Sequence, residues 1–375
     1  MKENYFKALT GVRVIAAYMV FIHHKNPFDE NFFGTSIFDF FREFHIGVTI
    51  FFVLSGFLIA YRYFEEENIN FKYYLVKRFA RIYPVYFVLT TVTFLGYAIY
   101  YSKLDMNNLG LYFFNITFLR GFFDDLKFTG IAQGWSLTVE ECFYFLAPLF
   151  FIFIKKSKIY LLIIPIFFLV MGFGIAYFFS KLNFYGFMKN SNFMLDFTFF
   201  GRVTEFIIGI SLALVVTKIN KSKFKYFTLI GCIVILFFVY SLSVLKVGNG
   251  SGTDCVLGKL INTLLLPIFG IAPLFYGLIF EKTILSRVLE TKIFVLLGKS
   301  SYIFYLIHMG IFAVALNKIS HNLLFLFIGL NCISILMFKY IELPFNLFIR
   351  HRILKEQTKN LSIVSLFFLN HKKSK

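Results

Sequence analysis

Arg13 and His24 stand eleven residues apart in an otherwise apolar run. On a helix that spacing amounts to about 1100°, three full turns and about 20° more, so both side chains share one face, about 16 Å apart along the axis. His23 falls about 80° off that face. An imidazole titrates near neutral pH and can accept a proton from a hydroxyl, while a guanidinium can hold an anion or stabilise developing negative charge. A second cluster, Trp135-Ser136-Leu137-Thr138-Val139-Glu140-Glu141, sets two carboxylates one turn beyond a tryptophan. Arg202 and Glu205 are spaced to pair on one helical face, and Tyr302, Tyr305 and His308 lie together in another apolar run. Ser55-Gly56 and the basic pair Arg78 and Arg81 complete the candidates. Plainer readings stand beside these. Arg13 can snorkel to headgroups from near its helix start. His24 can be an ordinary interfacial histidine, Arg202–Glu205 a structural ion pair, and Ser55-Gly56 a close helix contact.

The elements that must carry these residues follow from composition. Of 375 residues, 58% are hydrophobic and 15% charged, and the mean hydropathy is +0.74. Soluble domains carry roughly 25% charged residues, so this chain cannot clothe a soluble surface of its length. Disorder is excluded by the abundance of Phe, Leu, Ile and Tyr. Four cysteines in this length do not make a disulfide scaffold. The reading is an all-α, polytopic membrane helix bundle of about ten spans, near 8–24, 45–63, 82–102, 135–154, 159–179, 199–217, 226–245, 260–280, 297–316 and 322–345. The shorter stretch Asn108 to Phe123, which holds Arg120, reads as re-entrant or interfacial.

The net charge of +18 is then an orientation signal. Most Lys and Arg fall on the N-terminus, the even-numbered loops and the C-terminal tail, which makes both termini cytoplasmic. Basic residues scattered over separate loops argue against nucleic-acid binding, and their expected partner is anionic lipid. Residues 350–375 read as a basic cytoplasmic tail resting on the membrane, after a membrane domain over 1–349. In this orientation Arg78, Arg81 and Arg13 lie towards the cytoplasm. Ser55, Tyr302 and His308 fall near the midplane, and His24, Glu140, Arg202 and Glu205 lie towards the outside. Such a polar path suits an anionic cytoplasmic ligand that reaches across a membrane, or an anion being transported. His23, His24 and His45 show no metal-ligand spacing on one helix, so no metal is expected. Asn115-Ile116-Thr117 and Asn249-Gly250-Ser251 are glycosylation-type triplets on outer loops.

The order of these motifs resembles the acyltransferase 3 family of integral membrane acyltransferases. The resemblance runs through Arg13-x10-His24, the block Gly47 to Phe57, Arg78-x-x-Arg81, and Trp135-Ser136-Leu137-x-x-Glu140. It continues with Leu297-Gly298-Lys299-Ser300-Ser301-Tyr302, Tyr305-Leu306-x-His308 and Ile341-Glu342-Leu343-Pro344. Thr10 and Thr49 depart from it, standing where the family usually has Asp. The resemblance implies the membrane module alone, without the soluble esterase-like domain that some relatives carry. It implies an acyl-CoA donor, most often acetyl-CoA, approaching from the cytoplasm, and a glycan or lipid-linked saccharide hydroxyl as acceptor. The expected placement is the bacterial plasma membrane, with the oligomeric state open. Arg78 and Arg81 become candidates for the CoA phosphates, with Ser55, Tyr302 and His308 along the donor path. His24 becomes the candidate general base, Arg13 a donor or charge-stabilising group, and Glu140 a group orienting His24 or a neighbouring donor. A transporter or flippase exporting a glycan precursor or small anion is the competing reading. Paired inverted repeats would favour it, and the halves of the chain show none.

Overall fold

The structure, a computed structural model, describes residues 6–28, 35–67, 69–101, 106–182, 184–218 and 225–352. The tail from residue 353, and Lys2, Lys221 and Lys223 of the orientation argument, lie outside them. Within the described residues the chain is helical, and the one β-type contact is an isolated antiparallel bridge between Phe123 and Phe187. Aromatic and β-branched residues are modest helix formers in water. In a bilayer each backbone N–H and C=O must be paired within its own segment, so long apolar runs become helices regardless.

Ten long elements form the bundle. They are α1 (Lys7–His24), α2 (Gly47–Tyr63), α3 (Phe71–Tyr101), α4 (Trp135–Lys156) and α5 (Tyr160–Phe179). Then come α6 (Phe199–Lys218), α7 (Phe227–Leu245), α8 (Val256–Phe280), α9 (Lys292–Ile307) and α10 (Leu323–Arg352). Eight helices of the described residues are long and apolar enough to cross a membrane, or nine if a bent pair counts as one span. The first helix is not among them, because Lys7, Arg13, His23 and His24 dilute its apolar face. It is nevertheless central, packed against α9 and α2 with Ala16, Ala17 and Val20 buried.

The ninth expected span differs from expectation. Helix α9 starts at Lys292 instead of 297 and stops at Ile307, and a bend of 90° leads into a short helix, Ile311–Ile319. Gly310 sits in the bend at φ +84°, a conformation that side chains with a Cβ rarely adopt. The Met106–Ile116 helix is about 16 Å long, too short to cross, as the Asn108–Phe123 reading anticipated.

The tightest seam is between α2 and α6. A Cβ on Gly56 would stand 2.1 Å from the Phe206 carbonyl oxygen, and one on Gly209 2.1 Å from that of Val53. Only glycine permits that approach, so the packing interpretation of Gly56 holds. On the periphery, Leu162, Ile166, Phe167, Val170 and Tyr177 of α5 are exposed, an apolar surface suited to lipid. Two stretches are π-helical, Ile261–Ile271 within α8 and Phe338–Glu342 within α10. Each π turn holds an extra residue and re-aims the side chains around it. The first carries Asn262, which accepts from Thr49 Oγ1 at 2.8 Å; the second carries Glu342.

Candidate active site

The divergence of Ser55 and Gly56 on α2 is what builds the site. Adjacent residues on a helix diverge by about 100°. With Gly56 turned into the α6 seam, Ser55 turns towards α4 and donates to the Glu140 carboxylate at 2.8 Å. Tyr144, one turn further along α4, donates to the same Glu140 oxygen. These groups line a small cavity of about 60 Å³. Arg13 of α1 and Arg78 and Arg81 of α3 line it as well, together with Ser136, Tyr302 and Tyr305.

Three guanidiniums around one small cavity would repel unless each were compensated. Arg78 is compensated by aromatic faces: its guanidinium carbon lies 5.5 Å from the ring centre of Tyr63, 5.9 Å from Tyr74 and 5.6 Å from Tyr144. Arg13 and Arg81 make no hydrogen bond or close ion pair among the described residues, so their N–H donors remain available to the cavity. Tyr302 is fixed by donating to the Ile82 carbonyl at 3.1 Å, which ties α9 to α3.

The structure therefore brings together Arg13, Ser55, Arg78, Arg81, Glu140 and Tyr302. His24 and His308 are not on the cavity wall. Glu140 is engaged by Ser55 and Tyr144, so it does not orient His24. His308, expected near mid-depth with Ser55, instead stacks on His24, with ring centres 5.3 Å apart and 26° between planes. The early start of α9 explains this: His308 closes the helix, a full helix length from Lys292.

Between the cavity and the histidines stands a chain of buried hydrogen bonds. The Ser136 hydroxyl donates to the Gln133 carbonyl at 2.9 Å and lies 2.9 Å from the Tyr305 hydroxyl. His308 Nδ1 donates to the Tyr305 carbonyl at 2.7 Å, since a carbonyl can only accept. In the neutral ring Nε2 is then an acceptor, and the Gln133 amide nitrogen lies 3.3 Å from it. The polar path is thus continuous in composition but closed by packing. His24 itself is exposed at the end of α1. The rings of His23, His24 and His45 do approach one another, 4.6 Å and 5.5 Å between centres, and His23 Nδ1 is occupied by the Arg42 carbonyl. Among the described residues no group of three or more His, Cys, Asp or Glu is arranged to hold a metal ion.

Other candidates resolve as structure. Arg202 and Glu205 pair at 2.8 Å in the bundle interior, and Arg202 also donates to Thr49 at 3.0 Å. Arg120 is buried and donates to Asn115 Oδ1 at 2.8 Å and to the Thr129 and Ile131 carbonyls. Asn115 is consequently buried, which removes the first glycosylation-type triplet from the accessible surface. Sequence reasoning missed Tyr144 and Gln133. The i,i+4 spacing from Glu140 was an available signal for Tyr144. Gln133, in a 3-10 turn before α4, offered none.

Residues 6–341 match the family described as "Acyltransferase domain". This chain belongs to that family. Among its relatives, the peptidoglycan O-acetyltransferase OatA of Listeria monocytogenes is 28% identical over 46% of this chain and 28% of its own length. A putative O-acetyltransferase of Staphylococcus aureus is 23% identical over 92% of this chain and 58% of its own. The putative peptidoglycan O-acetyltransferase YrhL of Bacillus subtilis is 28% identical over 42% of this chain and 26% of its own. The chain thus spans between about a quarter and three-fifths of these relatives' lengths. No solved structure matches it.

Proposed function

We propose that this acyltransferase-family membrane protein is an O-acyltransferase. It would move an acyl group, acetyl first among candidates, from cytoplasmic acyl-CoA to a hydroxyl of an extracytoplasmic or lipid-linked glycan. The observation that carries the reading is the cavity where Arg13, Arg78 and Arg81 meet Glu140 and three tyrosines. Guanidinium groups match phosphate oxygens in geometry and charge, and CoA is a phosphate-rich donor with a long flexible arm. The O-acetyltransferase names of the relatives support acetyl as the group and a glycan as the acceptor. The charge asymmetry of the loops supports entry of the donor from the cytoplasm and is consistent with a multi-pass protein of the plasma membrane.

In this reading His24, exposed at the far end of α1, takes the proton of the acceptor hydroxyl. The hydroxyl oxygen attacks the thioester carbonyl, the C–S bond breaks, and the CoA thiolate leaves and recovers a proton. Arg13, about 16 Å back on the same face of α1 and on the cavity wall, holds the donor's anionic groups. The thioester must pass the Ser136–Tyr305 contact to meet the imidazole. His308, behind His24, is fixed through the Tyr305 carbonyl and Gln133, and supports the catalytic ring instead of the donor.

The test uses purified protein in liposomes with radiolabelled acetyl-CoA and a panel of glycan acceptors. CoA-dependent label transfer that falls at least a hundredfold in His24→Ala, at equal folded yield, is the expected result. Unchanged transfer in that variant removes His24 from the chemistry. Movement of the acceptor across the membrane without acyl transfer makes the protein a transporter.

A further inference from the structure

Glu140 faces the arginine cavity, while its neighbour Glu141, about 100° further round α4, lines a second and larger one. This groove has a volume of about 850 Å³. Its floor is a single face of α4, where Thr138, Glu141, Cys142, Phe145 and Leu146 follow helical spacing. Leu75, Phe79 and Tyr83, four apart on α3, and Phe168 and Met171 of α5 contribute the walls. Residues 116–122 close the end nearest the start of α4, where Thr138 Oγ1 donates to the Phe118 carbonyl. That end is rigid: the Phe118 ring stacks on Tyr86, and a Cβ on Gly121 would stand 2.5 Å from Thr138. Phe79, Leu119 and Phe145 are exposed, so the rim opens on the surface that meets lipid.

Polarity is unevenly spread along the groove. The Thr117 hydroxyl is spent on the Phe113 carbonyl at 2.7 Å, as that of Thr138 is on Phe118. Glu141 makes no hydrogen bond or close ion pair among the described residues, and no Lys, Arg or His lines the groove. It lies about 9 Å along α4 from Trp135, which the loop charges assign to the outer side. Deeper in, Phe145, Leu146, Phe79 and Leu75 offer only hydrocarbon and aromatic surface. A carboxyl group among apolar walls is costly until a donor reaches it, and here only a lipid comes through the rim. We propose that the groove binds one chain of an outer-leaflet glycerolipid whose neutral head donates a hydroxyl to Glu141. A phosphate head would set negative charge against a carboxylate with no cation beside it, in a medium that screens poorly. A glycerol or glycosyl hydroxyl meets no such repulsion. The site is independent of the acyl-transfer reading, and its test requires no transfer.

The experiment photolabels the purified protein in detergent with a diacylglycerol that carries a diazirine in one chain, and maps the label by peptide mass spectrometry. Unlabelled diacylglycerol and phosphatidic acid with the same chains compete, so that only hydroxyl and phosphate differ. Label is expected on residues 75–83 and 138–146, displaced by diacylglycerol and about tenfold less effectively by phosphatidic acid. Cys142→Trp, which fills the groove, is expected to lower displaceable labelling about tenfold at equal folded yield. Met171→Trp serves if that variant folds poorly, and the wild-type competition series decides if both do. Glu141→Gln keeps an acceptor oxygen without the charge. It is expected to retain diacylglycerol labelling and to bring phosphatidic acid level with it. Label spread over the exposed face of α5 and not displaced means bulk lipid only, and overturns the proposal. Equal competition by the two lipids in wild type, or undiminished labelling in a folded Trp variant, also overturns it. Discrimination that persists in Glu141→Gln removes the carboxylate from the site and overturns the assignment of the head.

Discussion

Arg78 shows how one side chain can be tuned by rings alone. Its planar guanidinium sits among Tyr63, Tyr74 and Tyr144, and its buried Nε has no hydrogen-bond partner. Lysine would keep the charge but lose the stacking and the forked donors. Arg78→Lys is therefore expected to weaken CoA affinity about tenfold, about 1.4 kcal/mol, while the maximal rate of transfer changes far less. Titration of CoA into the purified variant, with rates at saturating donor, checks both halves. Ionised or titratable residues such as Arg13, Arg78, Arg81 and Glu140 were legible in the sequence, because charge in an apolar run is costly and stands out. Glu342 was visible as part of a motif; its burial on a π-helical turn, which the apolar pattern does not announce, was not.

Helices, not single residues, decide which of these groups meet. The α2–α6 seam turns Ser55 towards Glu140 by burying Gly56 on the other side. A methyl group at position 56 would strike backbone, which cannot move aside as a side-chain tip can. Gly56→Ala is expected to destabilise the protein by about 1–3 kcal/mol or more and to reduce transfer through displacement of Ser55. Thermal unfolding in detergent, alongside transfer per folded molecule, separates the two effects. The long apolar helices were legible from hydropathy. The break of α9 at Gly310 and the two π turns were not, because each shifts side-chain direction by a residue without altering the apolar pattern. His308 stands beside His24 and not beside Ser55 for another reason hidden from the pattern, the start of α9 at Lys292.

At the scale of the molecule, the proposal depends on direction across the membrane. Asn249 and Lys156 are exposed at positions that the loop charges assign to opposite sides. With the four native cysteines replaced, Asn249→Cys is expected to react with a membrane-impermeant maleimide in intact cells, and Lys156→Cys only after permeabilisation. The reverse pattern would put the arginine cavity on the outer face and end the cytoplasmic-donor reading.

The buried Gln133–Ser136–Tyr305–His308 contacts have a consequence for the bilayer as well as for the reaction. A protein that offers polar groups to both faces of a membrane risks becoming a proton leak. Here the two polar compartments are separated by side chains whose hydrogen bonds are directed at one another, with Gln133 and His308 almost wholly enclosed. The layer between the two compartments is closed by these side-chain contacts. On the proposed function, the acyl arm has to part the Ser136–Tyr305 contact as it crosses, and leakage is confined to the moment of passage if that contact closes behind it.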